Sequence, residues 1–399
     1  MTSEAAERQP VHTVYGGAHL FKAEVGSTLG AIALETMRTY APDAATFADF
    51  IGLGGNAALV QAVYERTIAK LEREPVEDYR IDFEDGYGYR TDAEEDGHAV
   101  STALAVAHGV RQSGFPPYLG IRIKPLTEAS RARGIRTLDL VLSTLVSEAG
   151  EIPANFAVTL PKVTAPEEVT ALVRKLEPFP SVRLELMIET PQSIIDASGQ
   201  FAIPKLLDAA EGRCRSLHFG VYDYTASCNI TAEHQSITHP ACDFARHVMQ
   251  VSSAGRGVTL SDGATNILPV PRNNPAAVQR AMRLHFENVQ RSLMHGFYQG
   301  WDLHPGQLPT RFAAVYAFFL QSFEAAAARL RNFVEKAAQA TLVGEVFDDA
   351  ATGQGLLNFF LRGINCGAFT EREAEATGLT IEELRGRSFV RILDQRRSG

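Results

Sequence analysis

The chain has 399 residues, 45% of them hydrophobic and 21% charged, a composition that supports a substantial core and excludes a disordered chain. With 47 acidic against 38 basic residues the net charge is −9, and no basic block stands out beyond the short Arg396-Arg397 pair, so a nucleic-acid partner is not expected. The most apolar stretch, residues 312–320, is far shorter than the ~20 residues that cross a bilayer, and residues 1–9 are polar and acidic without the pattern of a secretory signal; no membrane partner and a cytoplasmic location are therefore expected.

Strand-like segments recur at about 30 residues, the length of one βα unit. They fall at 13–20, 79–83, 118–123, 156–160, 184–188, 216–221, a weaker 257–260, and 297–303. Eight is the strand number of an α/β fold of the TIM (β/α)8 barrel type. Helix-start signals lie between the strands: Thr190-Pro191 reads as a cap followed by a first-turn proline, and Thr164-Ala165-Pro166-Glu167-Glu168 supplies a proline and paired acids for a first turn. Two parts exceed strict alternation. Residues 27–72 hold two helical stretches before the second strand, and the pattern beyond 330 is wholly helical, with a capping box at Thr380-Ile381-Glu382-Glu383. The expected organisation is a barrel catalytic domain over 1–330 with an insertion at about 27–72, and a helical appendix over 331–399 that packs on the barrel or on a neighbouring subunit.

The chemistry-bearing residues sit where strands end, which in such barrels is the catalytic face. Asp82-Phe83-Glu84-Asp85-Gly86 closes the second strand with three acids, whose mutual repulsion calls for a nearby cation; Asp85-Gly86 alone is also common turn chemistry. Arg122 ends the third strand, and a guanidinium there needs carboxylates or an anionic ligand, such as a substrate carboxylate or an enolate oxygen. Lys124 reads as solvated. Lys162, in Leu160-Pro161-Lys162-Val163, reads either as a salt-bridge partner of the acids or as a catalytic cation. Glu189 follows the apolar run 183–188, and Asp223 follows 216–222. Two carboxylates leave most of an octahedral Mg²⁺ shell to water and substrate, so this pair reads as a metal site, against the plainer reading of helix caps. His304, in Leu303-His304-Pro305-Gly306-Gln307, reads as a structural hydrogen-bonding residue or as a general acid or base.

Other patterns carry no function. Gly52-Leu53-Gly54-Gly55-Asn56-Ala57 fits a dinucleotide fingerprint in form, but no strand precedes it. The histidines at 218, 234, 239 and 247 lack zinc-protease spacing, and there is no Gly-x-Ser-x-Gly elbow. Cys214, Cys228, Cys242 and Cys366 are isolated, as reduced and mostly buried thiols would be.

Taken together and in order, Asp82–Gly86, Arg122, Leu160–Val163, Ile188-Glu189-Thr190, Phe219–Asp223 and Leu303–Gln307 resemble the HpcH/HpaI aldolase and citrate lyase β-chain family, a branch of the phosphoenolpyruvate/pyruvate barrels. The resemblance runs from residue 13 to residue 307. It implies that Glu189 and Asp223 hold Mg²⁺, with Mn²⁺ as its substitute, that Arg122 binds substrate and the enolate oxygen, and that Glu84 and Asp85 orient substrate or metal-bound water, with Lys162 beside them. It also implies a small carboxylic acid or a CoA thioester as substrate, and a homo-oligomer, trimer or hexamer, in which C-terminal helices reach a neighbour. The chain departs from the family at Tyr15-Gly16-Gly17-Ala18-His19, at Lys124, in the insertion and in the long tail.

The expected function is a Mg²⁺-dependent carbon–carbon lyase that cleaves or forms a 2-oxo or 2-hydroxy acid, or an acyl-CoA thioester, through an enolate. Asp85, His304, a metal-bound hydroxide, Asp348 and Asp349 are all candidates for proton transfer. Two alternatives are a phosphoryl- or carboxyl-transfer enzyme of phosphoenolpyruvate or pyruvate, weakened by the lack of a P-loop, and a non-catalytic scaffold on a decayed barrel.

Overall fold

In the computed structural model the structure describes residues 8–392 apart from 113, 336–340, 344–345, 349, 387 and 390. Eight parallel strands close in sequence order into a barrel: β1 (His12–Gly17), β2 (Asp78–Asp82), β3 (Tyr118–Arg122), β4 (Phe156–Leu160), β5 (Arg183–Ile188), β6 (Cys214–Phe219), β7 (Thr259–Ala264) and β8 (Gln299–Asp302). β1 pairs with both β2 and β8, which completes the ring. All eight expected strands are present, the weak seventh included.

The insertion consists of three helices rather than the two expected: α1 (Val25–Tyr40), α2 (Ala44–Ile51) and α3 (Ala57–Arg73). The short α2 is made by local chemistry, since the Asp43 side chain accepts from the Thr46 N–H at its start and Gly52 closes it at φ 77°. The Gly52–Ala57 run is thus a turn between two helices, with the Asn56 side chain capping α3. α3 packs along the long helix after β8, and α1 packs on the chain leaving β8.

Around the barrel follow α4 (Asp92–Gly109), α5 (Arg131–Ala149), α6 (Pro166–Lys175), α7 (Pro191–Ile194), α8 (Ile203–Ala209), α9 (Val221–Ser227), α10 (Pro240–Ser253), α11 (Pro275–Met294) and α12 (Leu308–Glu335). The start signals read in the sequence operate here: Thr190 caps α7, and α6 has proline at its first position with Glu167 and Glu168 in its first turn. Beyond α12 the chain is not wholly helical. An antiparallel pair, β9 (Thr341–Val343) and β10 (Val346–Asp348), precedes α13 (Ala350–Cys366), α14 (Glu371–Ala374) and α15 (Ile381–Arg385), the last opening on the expected Thr380 capping box. Asp349 and the Arg396-Arg397 pair lie outside the described residues, as does the side chain of Asp348. This tail packs on α12 of the same chain through an aromatic cluster, with Phe323 and Phe369 centroids 4.9 Å apart and Phe319 and Phe359 5.2 Å apart. Among the described residues no helix is long and apolar enough to cross a membrane. The four cysteines are free, and only Cys228 is exposed.

The layer between strands and helices is apolar, but the barrel interior is not. The branched aliphatics that usually fill such a lumen are replaced by an ion network. The Arg80 guanidinium donates to both Glu185 oxygens (2.9 and 2.8 Å) and to Asp78 (2.7 Å), while Arg215 and the Thr159 hydroxyl also donate to Glu185 (2.6 and 2.8 Å). Thr13 and Gln299 continue the chain of bonds to β1 and β8. Outside the ring, Asp302 faces His12 (3.0 Å), His285 (2.9 Å) and Arg311 (2.8 Å), tying the ends of the barrel to α11 and α12.

Burial opposes ionisation of Glu185, yet Arg80, His218 and Arg215 hold its carboxyl well below the usual range. Its folded pKa lies below its unfolded one, so its contribution to stability is complete above about pH 5 and lost as pH falls below the ordinary carboxylate range. Breaking a buried pair by neutralising one partner costs about 3–5 kcal/mol, and Glu185→Gln is expected to lower the urea midpoint accordingly, with the gap to wild type shrinking at acid pH. An unchanged midpoint at pH 7 contradicts this role.

Candidate active site

The C-terminal ends of β2 to β6 bring Glu84, Asp85, Arg122, Lys162, Glu189 and Asp223 to one place, whereas His304 lies after β8. Asp82, the last residue of β2, accepts from Arg122 Nε and Nη2 (2.7 and 2.5 Å) in a two-point fork across to β3. Its oxygens also accept the N–H groups of Glu84 (3.0 Å) and Gly86 (2.7 Å), which curls the chain back over the carboxylate. A Cβ on Gly86 would lie 2.6 Å from Asp82 Oδ2, so only glycine fits. The fork occupies two Arg122 donors and leaves Nη1, which lies 3.2 Å from Glu84 Oε2 and 3.7 Å from Met187 Sδ.

Lys162, just past β4, is the second cation. Its ammonium bonds Glu84, lies 3.0 Å from Asp85 and reaches Asp223 at 3.5 Å. Its backbone has φ 50°, a left-handed conformation that costs a residue with a Cβ on the order of 1 kcal/mol. That conformation aims the Lys162 N–H at Glu189 Oε1, 2.7 Å away. Glu189, directly after β5, is 1% exposed, and this is its hydrogen bond among the described residues. Asp223 does not end a strand as the sequence suggested. β6 stops at Phe219, and Asp223 lies in the first turn of α9, because the chain turns at Gly220, where a Cβ would collide with Glu189 Oε2 at 2.3 Å.

The electrostatics follow from this crowding. Burial, with Asp223 adding to it against Arg122 and Lys162, pushes the Glu189 carboxyl up to about 8. Burial also raises Glu84 despite Arg122, whereas Asp85 is held below its ordinary value against burial by Glu84, Arg122 and Lys162. Two neighbouring carboxyls thus diverge, the pattern that separates a proton carrier from a fixed charge. Lys162 is held charged by Glu84 and its neighbours against the pull of burial.

One expectation changes, and one of two readings of His304 is favoured. Lys124 is not simply solvated: its ammonium donates to Glu95 (2.6 Å) and to the Phe83 carbonyl (2.8 Å), bracing the β2 turn from outside the site. His304 takes the structural role, its Nδ1 accepting the Gly306 N–H (3.0 Å) at the start of a short turn. The sequence reading also missed Tyr15 and Trp301. Their rings lie 4.3 Å apart on β1 and β8, with the Arg122 guanidinium 5.1 and 5.9 Å from their centres. The alternation of inward positions, Thr13-Tyr15 and Gln299-Trp301, was the available signal.

Among the described residues no group of three or more His, Cys, Asp or Glu side chains forms a ready-made metal cage. The donor set nonetheless fits one hard divalent cation: a buried, charge-starved Glu189 beside Asp223, with the remaining positions open to oxygen from water and substrate.

The architecture is that of a closed eight-stranded (β/α)8 barrel. A citrate lyase from Burkholderia xenovorans LB400 superposes with a TM-score of 0.57 at 18% identity, over 82% of this chain and 94% of that one. Malate synthase from Haloferax volcanii does so at 0.51 and 14% identity, over 77% of this chain and 75% of that one. Its magnesium/glyoxylate complex gives 0.50 and 13% identity over 98% of both chains. These likenesses bear out the expected fold. The chain belongs to the family described as a domain of unknown function, DUF6986, whose model matches residues 2–392. None of the curated proteins matches it in sequence.

In metal-free protein Glu189 binds its proton more tightly folded than unfolded, so between about pH 4.5 and about 8 the native state holds the extra proton and stability falls as pH rises. Glu189→Gln removes that slope. The difference in unfolding free energy between variant and wild type is expected to grow across this window to a few kcal/mol in the variant's favour. A difference independent of pH contradicts the assignment.

Proposed function

We propose that this protein is an enzyme, a carbon–carbon lyase of aldolase or citrate lyase type, that makes or breaks a bond next to a carbonyl through an enolate. Its substrate is a 2-oxo or 2-hydroxy acid or an acyl-CoA thioester. The observation that carries the reading is the convergence of buried Glu189, Asp223, Arg122 and Lys162 at the C-terminal end of the barrel, where catalysis in this architecture takes place. The superposable malate synthase has been described with magnesium and glyoxylate, which supports a divalent cation and a small 2-oxo acid here.

Glu189 and Asp223 would hold Mg²⁺ or Mn²⁺, which when bound supplies Lewis acidity to carbonyl and carboxylate oxygens. Arg122 presents Nη1 to the substrate because Asp82 fixes its other two donors, so the guanidinium arrives already oriented and no freedom is lost at the reacting step. Its positive charge, buried where water cannot screen it, favours the enolate over the neutral carbonyl. Lys162 pairs with Asp85 and Asp223 and holds both carboxylates in place. Glu84, raised by burial, is the carboxyl suited to exchange a proton: in cleavage it accepts the hydroxyl proton as the carbon–carbon bond's electron pair passes to the carbonyl side, and returns it to the enolate carbon.

Enolate formation is read directly by methyl-proton loss in D₂O. With Mg²⁺ present, exchange into pyruvate marks a 2-oxo acid lyase and exchange into acetyl-CoA a thioester lyase, and Glu189→Gln and Arg122→Lys are expected to slow it by about 10²-fold or more. Exchange into neither compound, or exchange indifferent to the metal and to both variants, contradicts the proposal.

A further inference from the structure

We infer that the carbonyl acid handled at this site carries an apolar substituent, seated on the arc of the barrel mouth built by β1, β7 and β8. The inference rests on the lyase reading above and adds to it the character of the substrate's other end.

The mouth is two-sided. Its charged groups, Glu84, Asp85, Arg122, Lys162, Glu189 and Asp223, all come from the ends of β2 to β6. The remaining arc offers carbon. Tyr15 and Trp301 occupy inward positions of β1 and β8, yet both keep partial exposure, while Thr13 and Gln299, one inward step below them, are buried. Their polar atoms point away from the opening. The Trp301 N–H donates to His218 Nδ1 (3.2 Å), and the Tyr15 hydroxyl is buried within the field of Arg80 and Glu185. The side-chain surface they show is therefore aromatic carbon.

The loops that follow these strands also carry exposed aliphatics. Leu303 after β8 is 39% exposed, Ile267 and Val270 after β7 are 51% and 46% exposed, and Leu20 after β1 is 69% exposed. Single exposed aliphatics need no explanation, but four on the loops that follow β1, β7 and β8 add apolar surface at the same end of the barrel as the two rings. On the loops after β7 and β8, His304 accepts from the Gly306 N–H and Arg272 pairs with Glu35 at 3.4 Å, while on the loop after β1 the His19 Nδ1 is buried without a partner. A second carboxylate set against the two rings would meet no donor from them, since the Tyr15 hydroxyl and the Trp301 N–H both point away, and would lose its hydration there. An alkyl or aryl substituent would gain about threefold to fourfold in affinity for each methylene it buries.

Trp301 is the chain's single tryptophan, so the wall reports its own occupancy. The Mg²⁺-loaded protein is titrated calorimetrically and by fluorescence with pyruvate, oxaloacetate, 4-methyl-2-oxopentanoate and phenylpyruvate. The two apolar acids are expected to bind at least about tenfold tighter than the other two and to perturb Trp301 emission, and Leu303→Asp or Trp301→Phe to remove most of that gain. Pyruvate or oxaloacetate binding as tightly as the apolar acids overturns the inference and leaves the lyase reading standing. Binding of none of the four overturns the inference, and the lyase reading falls with it only when exchange into acetyl-CoA is absent as well. A Leu303→Asp protein that changes its association state in sedimentation while keeping the full preference for apolar acids makes the rim a contact between copies of the chain, and overturns the inference as well.

Discussion

The site depends on how two cations are shared among five carboxylates. Asp82, Glu84, Asp85, Glu189 and Asp223 crowd the ends of β2, β5 and β6, and among the described residues the cations that stand with them are Arg122 and Lys162. Asp82 is satisfied by the Arg122 fork, and Glu84, Asp85 and Asp223 divide one ammonium. Glu189 receives a backbone N–H and the more distant pull of both cations, too little to offset its burial, and its proton affinity rises in response. A divalent cation beside Glu189 and Asp223 would complete the balance. The strained backbone of Lys162 belongs to the same arrangement, because one residue delivers an ammonium to the acids on one side and an N–H to Glu189 on the other.

Beneath the site, the lumen keeps these charges in register. Arg80 and Glu185 cross the barrel with Asp78, Arg215 and Thr159, so strands on opposite sides are joined by bonds of fixed direction rather than by interchangeable aliphatic contacts. Such a network adds little net stability once desolvation is counted, and its use here is as a template that resists slippage of one strand against the next. Tyr15 and Trp301 lie between this layer and the mouth. Their rings flank the Arg122 guanidinium, and His218 pins the indole, so the substrate-facing cation is held by Asp82 below its plane of action and by aromatic carbon at its side.

Much of this was legible in the sequence because strand ends carry their own punctuation. Apolar runs that stop in Asp82, Arg122 or Glu189 announce both the strand and the face it opens on, and the Thr190 cap left Glu189 free, as the structure bears out. What escaped depended on partners distant in the chain. Lys124 looked solvated because Glu95 lies 29 residues away on α4. Asp223 looked like a strand end because the apolar run continues past the end of β6 to Val221, while the turn comes earlier, at Gly220, where Glu189 packs against the backbone. The third insertion helix was hidden by its brevity, and the β9–β10 pair by the helical pattern around it. Tyr15 stood out in the sequence only as a departure from the family pattern and Trp301 not at all, because it is the closing of β1 against β8 that places them side by side.

The most direct test of this charge balance is Mn²⁺ titration followed by electron paramagnetic resonance, on wild type, Glu189→Gln and Asp223→Asn, each checked for folding by circular dichroism. The account predicts one site per chain in wild type and at least about a tenfold loss of affinity in each variant, since a hard cation loses one of its two anionic oxygen ligands. Absence of binding in wild type, or an affinity unchanged in both variants, would contradict it.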